Sequence, residues 1–385
     1  MLDVVAGANH QPSARAPAAS SAARKTLKVG KAQAGYGRGT LRRLGAPIVR
    51  CSIEDPSWLE LVRADPAALP FHHPAWTLLL AESYAFKPFV LGLVDGSGRI
   101  VAGIPVVEVG GRFRRRRWVS LPFTDVCPPL VADSGVDSFA AEIDQARRDA
   151  GIASLEVRAR IGRASVGEQP ALLHELTLTA DPEEVAASFR ASVRRNIRAA
   201  ERGPAVVRIA SSESDLTEAF YRLHVDVRRR LGLPVQPRRF FRLLWSRMIQ
   251  PGLGRVLLAD VGTETVAAAV FLTWNRTVVY KYGASDPQHW PMRPNNLLFW
   301  EAIKWACENG YQRLDFGRTN LNAPSLRRFK LGWATQEHPL EYTLLGSAAT
   351  NGLRDEPPQI VRSAIRRSPR WVVRALGEIL YRGAA

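Results

Sequence analysis

Val90-Leu-Gly-Leu-Val-Asp95, then a turn, then Val101-Ala-Gly103 make one strand–turn–strand unit. Val256-Leu-Leu-Ala-Asp260, a turn and Val266-Ala-Ala268 make another, and Asp95 to Val101 and Asp260 to Val266 span the same six positions. In both places the hairpin leads through a second polar turn into a further strand. Self-similarity of this kind points to a duplicated unit. Asp and Gly at the turns supply the backbone freedom that a tight hairpin needs.

Helices and strands alternate outward from these hairpins. The first half reads as a helix over Pro74–Tyr84, strands at Phe89–Val94, Ile100–Val107, Arg117–Leu121 and Leu155–Ala159, and a helix over Phe139–Ala150 stopped by Gly151. In the second half, Asp181-Pro-Glu-Glu184 combines a capping carboxylate, a first-turn proline and acids at the positive end of the helix dipole. Val185, Phe189, Val193 and Ile197 recur every four residues and predict one buried stripe on that helix. Arg190, Arg194, Arg195, Arg198 and Arg202 occupy its other face and far end, either as a solvated surface or as an anion contact. Helices at Leu216–Arg230 and Phe240–Ile249, strands at Arg255–Asp260, Val266–Trp274 and Val278–Gly283, a helix at Asn296–Glu308 and strands at Leu314–Phe316 and Leu340–Leu345 complete the pattern. This order predicts an α/β (α+β) chain of two similar units, each a mixed, mostly antiparallel sheet flanked by helices. We place them at residues 47–175 and 176–346.

The chain has 385 residues, 46% hydrophobic and 23% charged, enough for two ordinary domains. Its net charge is +17, which raises the possibility of nucleic-acid binding, but the excess is concentrated in the tails. Residues 1–50 hold nine Lys/Arg against Asp3, and residues 351–385 hold seven Arg against Asp355, Glu356 and Glu378. The body is therefore only mildly basic. Residues 1–46 are rich in Ala, Ser and Gly without an apolar period; the expectation is a disordered basic tail, or an over-extended start of the reading frame. Three scattered cysteines and no zinc-ligand spacing point to a reducing compartment with no metal. Adjacent His72 and His73 read as core or loop histidines. No apolar run reaches membrane-spanning length, and no signal-peptide pattern opens the chain. Five arginines within Arg112–Arg117 read as a solvated hairpin or an RNA patch. No Walker loop or Ser–His–Asp arrangement stands out.

Charged and aromatic residues crowd strand ends and helix starts in the second half, where α/β domains place their sites. The stretches Arg194-Arg-Asn-Ile-Arg-Ala-Ala-Glu-Arg-Gly203, Arg230-Leu-Gly-Leu-Pro234, Tyr282-Gly-Ala-Ser-Asp286, Asn296-Leu-Leu-Phe-Trp-Glu301, Asp315-Phe-Gly-Arg-Thr319 and Phe329-Lys-Leu-Gly-Trp333 carry a resemblance. So do Phe71-His-His-Pro-Ala-Trp76 and Ser120-Leu-Pro-Phe-Thr-Asp125. Together they resemble the Fem-type aminoacyltransferases, which build peptidoglycan cross-bridges, and their relatives in the GNAT acetyltransferase superfamily. The resemblance runs over roughly residues 50–385. It implies two tandem GNAT-like domains, the second catalytic, that transfer an acyl or aminoacyl group to an amine of a cell-wall precursor, surface polysaccharide or small metabolite.

On that basis Lys330 is expected to stabilise the oxyanion formed when an amine attacks an ester or thioester; the alternative is a surface lysine at a strand end. Arg318 and Arg228 have the guanidinium fork that suits phosphate or carboxylate, although Arg228, Arg229 and Arg230 are consecutive and point in different directions. Asp315, on an otherwise apolar strand, either orients Arg318, accepts from the acceptor amine, or pairs with Arg313. Tyr282 is read as a substrate contact or a core residue, and Asp125 as a contribution from the first domain or a turn residue. No permanently bound cofactor is expected; the co-substrate is aminoacyl-tRNA or acyl-CoA, with tRNA a partner in the first case. Acetyl-CoA users carry a Gly-rich turn at a helix N-terminus, whereas this chain has Arg293-Pro-Asn-Asn-Leu297, in which Asn295 and Asn296, counted among the substrate-binding candidates, crowd the turn and compete for its N–H groups. A third reading is a non-catalytic RNA- or membrane-binding module. The expected location is cytoplasmic. The basic amphipathic segment within residues 347–385, broken at Ser368-Pro369, either lies on an anionic inner leaflet or packs onto the second domain.

Overall fold

The structure, a computed structural model, describes residues 48–110, 115–132, 135–162, 171–346 and 358–382. The expected N-terminal tail and part of the 112–117 arginine run lie outside the described residues. The first sheet is built from β1 (Ile48–Cys51), β2 (Lys87–Val94), β3 (Ile100–Val109), β4 (Arg117–Val119) and β5 (Ser154–Val157). Helices α1 (Pro56–Ala64), α2 (Pro74–Tyr84) and α3 (Val136–Asp149) accompany it. The second contains β6 (Ala171–Thr177), β7 (Ala205–Ile209), β8 (Gly254–Val261), β9 (Glu264–Trp274), β10 (Thr277–Ser285), β11 (Arg313–Asn320) and β12 (Gln336–Leu340). β13 (Thr343–Gly346) returns to the first.

Both hairpins fold as predicted, as β2–β3 and β8–β9. Asp95 accepts from the backbone of Ser97 and Arg99 across its turn, and Asp260 accepts from Thr265 Oγ1. The strand orders β1-β2-β3-β4-β5-β13 and β7-β8-β9-β10-β11-β6-β12 superimpose term by term through six positions. Each sheet is antiparallel except for one parallel pair, β4–β5 or β10–β11. The duplication and the mostly antiparallel α/β class are thus visible in the topology.

Strand pairings cross the expected division at 175/176. It falls inside β6, which pairs with β11 rather than with its chain neighbour β5, while β13 crosses back onto β5. Each sheet therefore takes a flanking strand from beyond the expected boundary. The core between the sheets is correspondingly continuous: Phe71, Trp76 and Tyr84 pack in one cluster with Phe220, Phe240, Phe241 and Tyr282. Each such fully buried side chain contributes roughly 1.5–3 kcal/mol.

The helix expected from Asp181 is two helices, α4 (Pro182–Ala187) and α5 (Ala191–Glu201). All four residues of the predicted stripe are buried. The break has a tertiary cause, because Arg190 N donates to Gly332 O instead of up its own helix. Arg194 caps the interruption by donating to Ala187 O and Phe189 O, which gives this member of the basic face a structural role. α6 (Tyr221–Leu231) and α7 (Arg238–Leu244) cover one face of the second sheet, and α8 (Pro294–Glu308) the other. Lys330 lies in the last turn of α9 (Pro324–Gly332), not at a strand end.

The C-terminal segment forms α10 (Gln359–Arg367) and α11 (Arg370–Arg382), separated at Ser368 as the Ser-Pro step predicts. Ile365 and Val373 are fully buried in the inter-sheet core, and Arg370 forks onto Asp226 at 2.6 Å to each oxygen. One face of this segment packs onto α6. Among the described residues, no helix is long and apolar enough to cross a membrane.

Candidate functional site

β10 and β11 are hydrogen-bonded only from Thr277/Arg313 to Val279/Asp315; beyond that both strands continue and part. Each bulges where they separate, β10 between Tyr280 and Tyr282 against β9, β11 between Asp315 and Arg318 against β6. A bulge adds a residue and re-aims side chains. Without it Tyr280 and Tyr282 would share a face. Instead, Tyr280 packs 4.7 Å from Phe299 under α8, and Tyr282 sits 5.9 Å from Phe240 and Phe241 on the opposite side. Gly283 permits this, since a Cβ there would lie 1.9 Å from the Tyr280 hydroxyl oxygen.

The β10 bulge carries Lys281, only 3% exposed, toward the first half of the chain. Its Nζ donates to Phe123 O at 2.7 Å and lies 3.8 Å from Asp125 Oδ2. The rings of Phe71, Trp76 and Tyr282 surround it at 5.1–5.6 Å, a setting that suits a desolvated cation. Asp125 belongs to a loop in which Leu121 (φ 64°) and Phe123 (φ 60°) are left-handed. That conformation is uncommon for bulky side chains and tends to occur where surrounding structure over-determines it. Here Trp76 Nε1 donates to Thr124 Oγ1, the Tyr342 hydroxyl to Asp125 O, and Arg158 N to Ser120 Oγ.

On the β11 side, Gly317 (φ 73°) turns the bulge. Its N–H donates to Asp315 Oδ1 at 2.6 Å, and its carbonyl accepts from Lys330 Nζ at 2.8 Å; Lys330 also donates to Arg318 O at 3.0 Å. Lys330 is 1% and Asp315 2% exposed. Burial raises the Asp315 carboxyl to about 7; the Gly317 N–H and Lys330 oppose this, while Asp125 and Glu175 add to it. Burial also works against the charged form of Asp125, but Lys281, with Lys330 and Arg318 behind it, holds its carboxyl below the usual range. Arg318 is buried 5.7 Å from the Tyr342 ring, on which Arg158 also lies.

The structure therefore brings Lys330, Asp315, Arg318 and Asp125 to one place. Tyr282 borders them through its ring, 5.6 Å from Lys281 Nζ, while packing in the aromatic cluster on the α6–α7 side. The others lie elsewhere. Arg228 is buried with its Nε donating to Pro234 O at 2.9 Å, an internal tie in the turn after α6; Arg229 and Arg230 face a cleft instead. Asp315 does not pair with Arg313, whose guanidinium donates to Thr277 Oγ1. Asn295 donates its amide to Ser285 Oγ, Asn296 is buried, and no side chain caps the start of α8. The expected competition of asparagine side chains for that turn is absent.

Two site residues escape the sequence reading. Lys281 sits in Tyr-Lys-Tyr on an apparently regular strand, and only the bulge turns it inward. His174 on β6 is fully buried, 3.4 Å from Thr335 Oγ1, and burial with the nearby Lys330 lowers it to about 4. His72 bridges Leu69 N and Pro128 O, a loop histidine as read. No His/Cys/Asp/Glu group suited to a metal occurs among the described residues.

Residues 187–330 match the family model described as an acetyltransferase (GNAT) domain. Among solved structures, FemX is similar at a TM-score of 0.61 and 13% identity, over 77% of this chain and 96% of FemX. A conserved protein of unknown function from Bacteroides thetaiotaomicron is similar at 0.50 and 10% identity, over 78% and 98%. At these identities the likeness concerns the fold. No curated protein sequence matches.

Proposed function

We propose that the chain, whose residues 187–330 match a GNAT acetyltransferase domain and whose fold is similar to that of FemX, is an acyltransferase that acylates an amine, with Lys330 stabilising the oxyanion. The acceptor is a cell-wall precursor, a polysaccharide sugar or a small metabolite. The observation that carries this reading is the Asp315–Gly317–Lys330 arrangement at the parting of β10 and β11.

In this mechanism the acceptor nitrogen attacks the donor carbonyl carbon, and the carbonyl oxygen becomes an oxyanion beside Lys330. A buried ammonium acts there through a low dielectric, where a fixed charge is worth more than in water. Asp315, raised to about 7, takes the proton that the nitrogen loses and returns it to the leaving hydroxyl or thiol as the carbon–oxygen or carbon–sulfur bond breaks. A base titrating near neutrality suits both transfers. Arg318 holds an anionic part of the substrate, and Asp125 fixes Lys281 and the first-half loop beside the reacting groups.

The donor is aminoacyl-tRNA or acyl-CoA. The start of α8 beside Ser285 has no side-chain cap, but Pro294 carries no N–H and Asn296 N donates to Arg293 O, so Asn295 N–H is the first-turn donor left for a phosphate of the second. Incubating the protein with labelled aminoacyl-tRNA or labelled acetyl-CoA and a panel of amines tests the reading. Amine-dependent loss of label from one donor is expected; consumption of neither would overturn it.

A further inference from the structure

A cleft of about 750 Å³ lies between α6, the end of β10 and the C-terminal helices; Ser285, which borders the start of α8, forms one wall. Five guanidiniums, from Arg222, Arg229, Arg230, Arg366 and Arg370, line it against the carboxylates of Asp226, Glu264 and Asp286. The carboxylates are engaged: Asp226 by Arg370, Glu264 by Arg222, and Asp286 by His289. Among the described residues no ion pair within 4.0 Å ties Arg229, Arg230 or Arg366, although Asp226 and Asp286 lie near enough to favour the charge of Arg230. Arg230 lies over the Trp290 ring at 5.1 Å, and Arg366 reaches only Leu231 O at 3.5 Å. The cleft therefore holds more guanidiniums than carboxylates, five against three.

Apolar side chains on the helices beside it are turned outward. α10 and α11 bury Ile365 and Val373 but leave Ile360 85%, Trp371 71% and Val361 37% exposed. Ile360, Ala364 and Arg367 share one face of α10 by helical spacing, and Trp371, Arg374 and Ala375 share the outward face of α11. Trp371 directly follows Arg370, which lines the cleft. The described part of α10 has three arginines and no acid.

We propose that this end of the molecule docks on an anionic lipid surface, with phosphate headgroups received by Arg229, Arg230 and Arg366 and with Trp371, Ile360 and Val361 entering the interface. Tryptophan is favoured at that depth because its ring is apolar and its N–H polar. Arginines near an anionic leaflet add attraction that weakens with salt. Charge complementarity selects this occupant: a second copy of the same basic face would repel it, and a neutral apolar partner would leave the cleft cations unanswered. The proposal is independent of acyl transfer, since binding requires no turnover.

The test is flotation of the full chain with phosphatidylglycerol/phosphatidylcholine vesicles and with pure phosphatidylcholine vesicles, at low and high salt. Binding to the anionic vesicles alone, reduced by salt, is expected. The surface variant I360S/W371S and the cleft variant R229A/R366A are each expected to bind about tenfold more weakly, with unchanged thermal melts. Equal binding to both vesicle types, no binding to either, or unchanged binding in both variants would overturn the proposal. So would full competition by glycerol 1-phosphate at headgroup-equivalent concentration, which would assign the cleft to a soluble phosphate.

Discussion

Lys281 of the second sheet and Asp125 of the first-half loop lie 3.8 Å apart, both almost excluded from solvent, and Lys281 also holds the Phe123 carbonyl at 2.7 Å. Two charges in such a setting sustain one another, and removing one leaves the other buried and uncompensated. Lys281→Met is expected to lower stability by about 3–5 kcal/mol. In Lys281→Met/Asp125→Asn part of that loss should return. Urea unfolding of the four proteins in the cycle measures the coupling; additive losses would contradict it.

The β10 bulge makes a second prediction. Gly283→Ala places a Cβ against the Tyr280 hydroxyl oxygen at 1.9 Å and against Tyr280 Cζ at 2.8 Å. The ring must shift, at a cost of about 1–3 kcal/mol. Tyr280→Phe removes the nearest atom and should recover some of this in the double variant. Thermal melts of the single and double variants provide the check, and a neutral Gly283→Ala would mean that the two tyrosines are not held on opposite faces as described.

Asp315 sets a pH dependence. Its folded carboxyl titrates at about 7, above its ordinary value of 3.8. A raised carboxylate favours the protonated fold: its contribution is fully present below the unfolded value and is lost as pH rises through about 7. Asp315→Asn should therefore be more stable than the parent at pH 8, with the difference shrinking toward pH 4. Activity runs the other way, since the proposed base must be ionised. kcat/KM should rise through a limb near 7 in the parent, and Asp315→Asn should lose both that limb and most of its turnover.

Arg228 gives a prediction opposite to its reading from sequence. Its guanidinium ties Pro234 O in the turn after α6, so Arg228→Ala should lower stability by about 1–3 kcal/mol. KM for the acceptor should not change. A large rise in KM in a folded variant would restore Arg228 as a substrate anchor.

The hairpins at Asp95 and Asp260 were readable because Asp/Gly turns and strand alternation are local signals. So was the break at Ser368-Pro369, where the proline decides the backbone. Asp315 stood out as a charge on an otherwise apolar strand, and Lys330 through the motif stretch Phe329–Trp333 that carries the resemblance. Lys281 did not: in regular alternation a lysine between two tyrosines points to solvent, and nothing local marks it as the extra residue of a bulge against β9. The exchange of β6 and β13 rests on pairings between segments far apart in sequence. Helix phase decided which of three consecutive arginines turned inward, and packing of α6 set that phase.

Lys330 is the centre of the account, and Lys330→Met tests it most directly. The variant loses two hydrogen bonds, to Gly317 O and Arg318 O, so a thermal melt must first show that it is folded. Steady-state kinetics with the donor that the parent consumes should then give kcat lower by about 10²–10³ with KM nearly unchanged. A folded Lys330→Met that turns over at the parent rate would contradict the account.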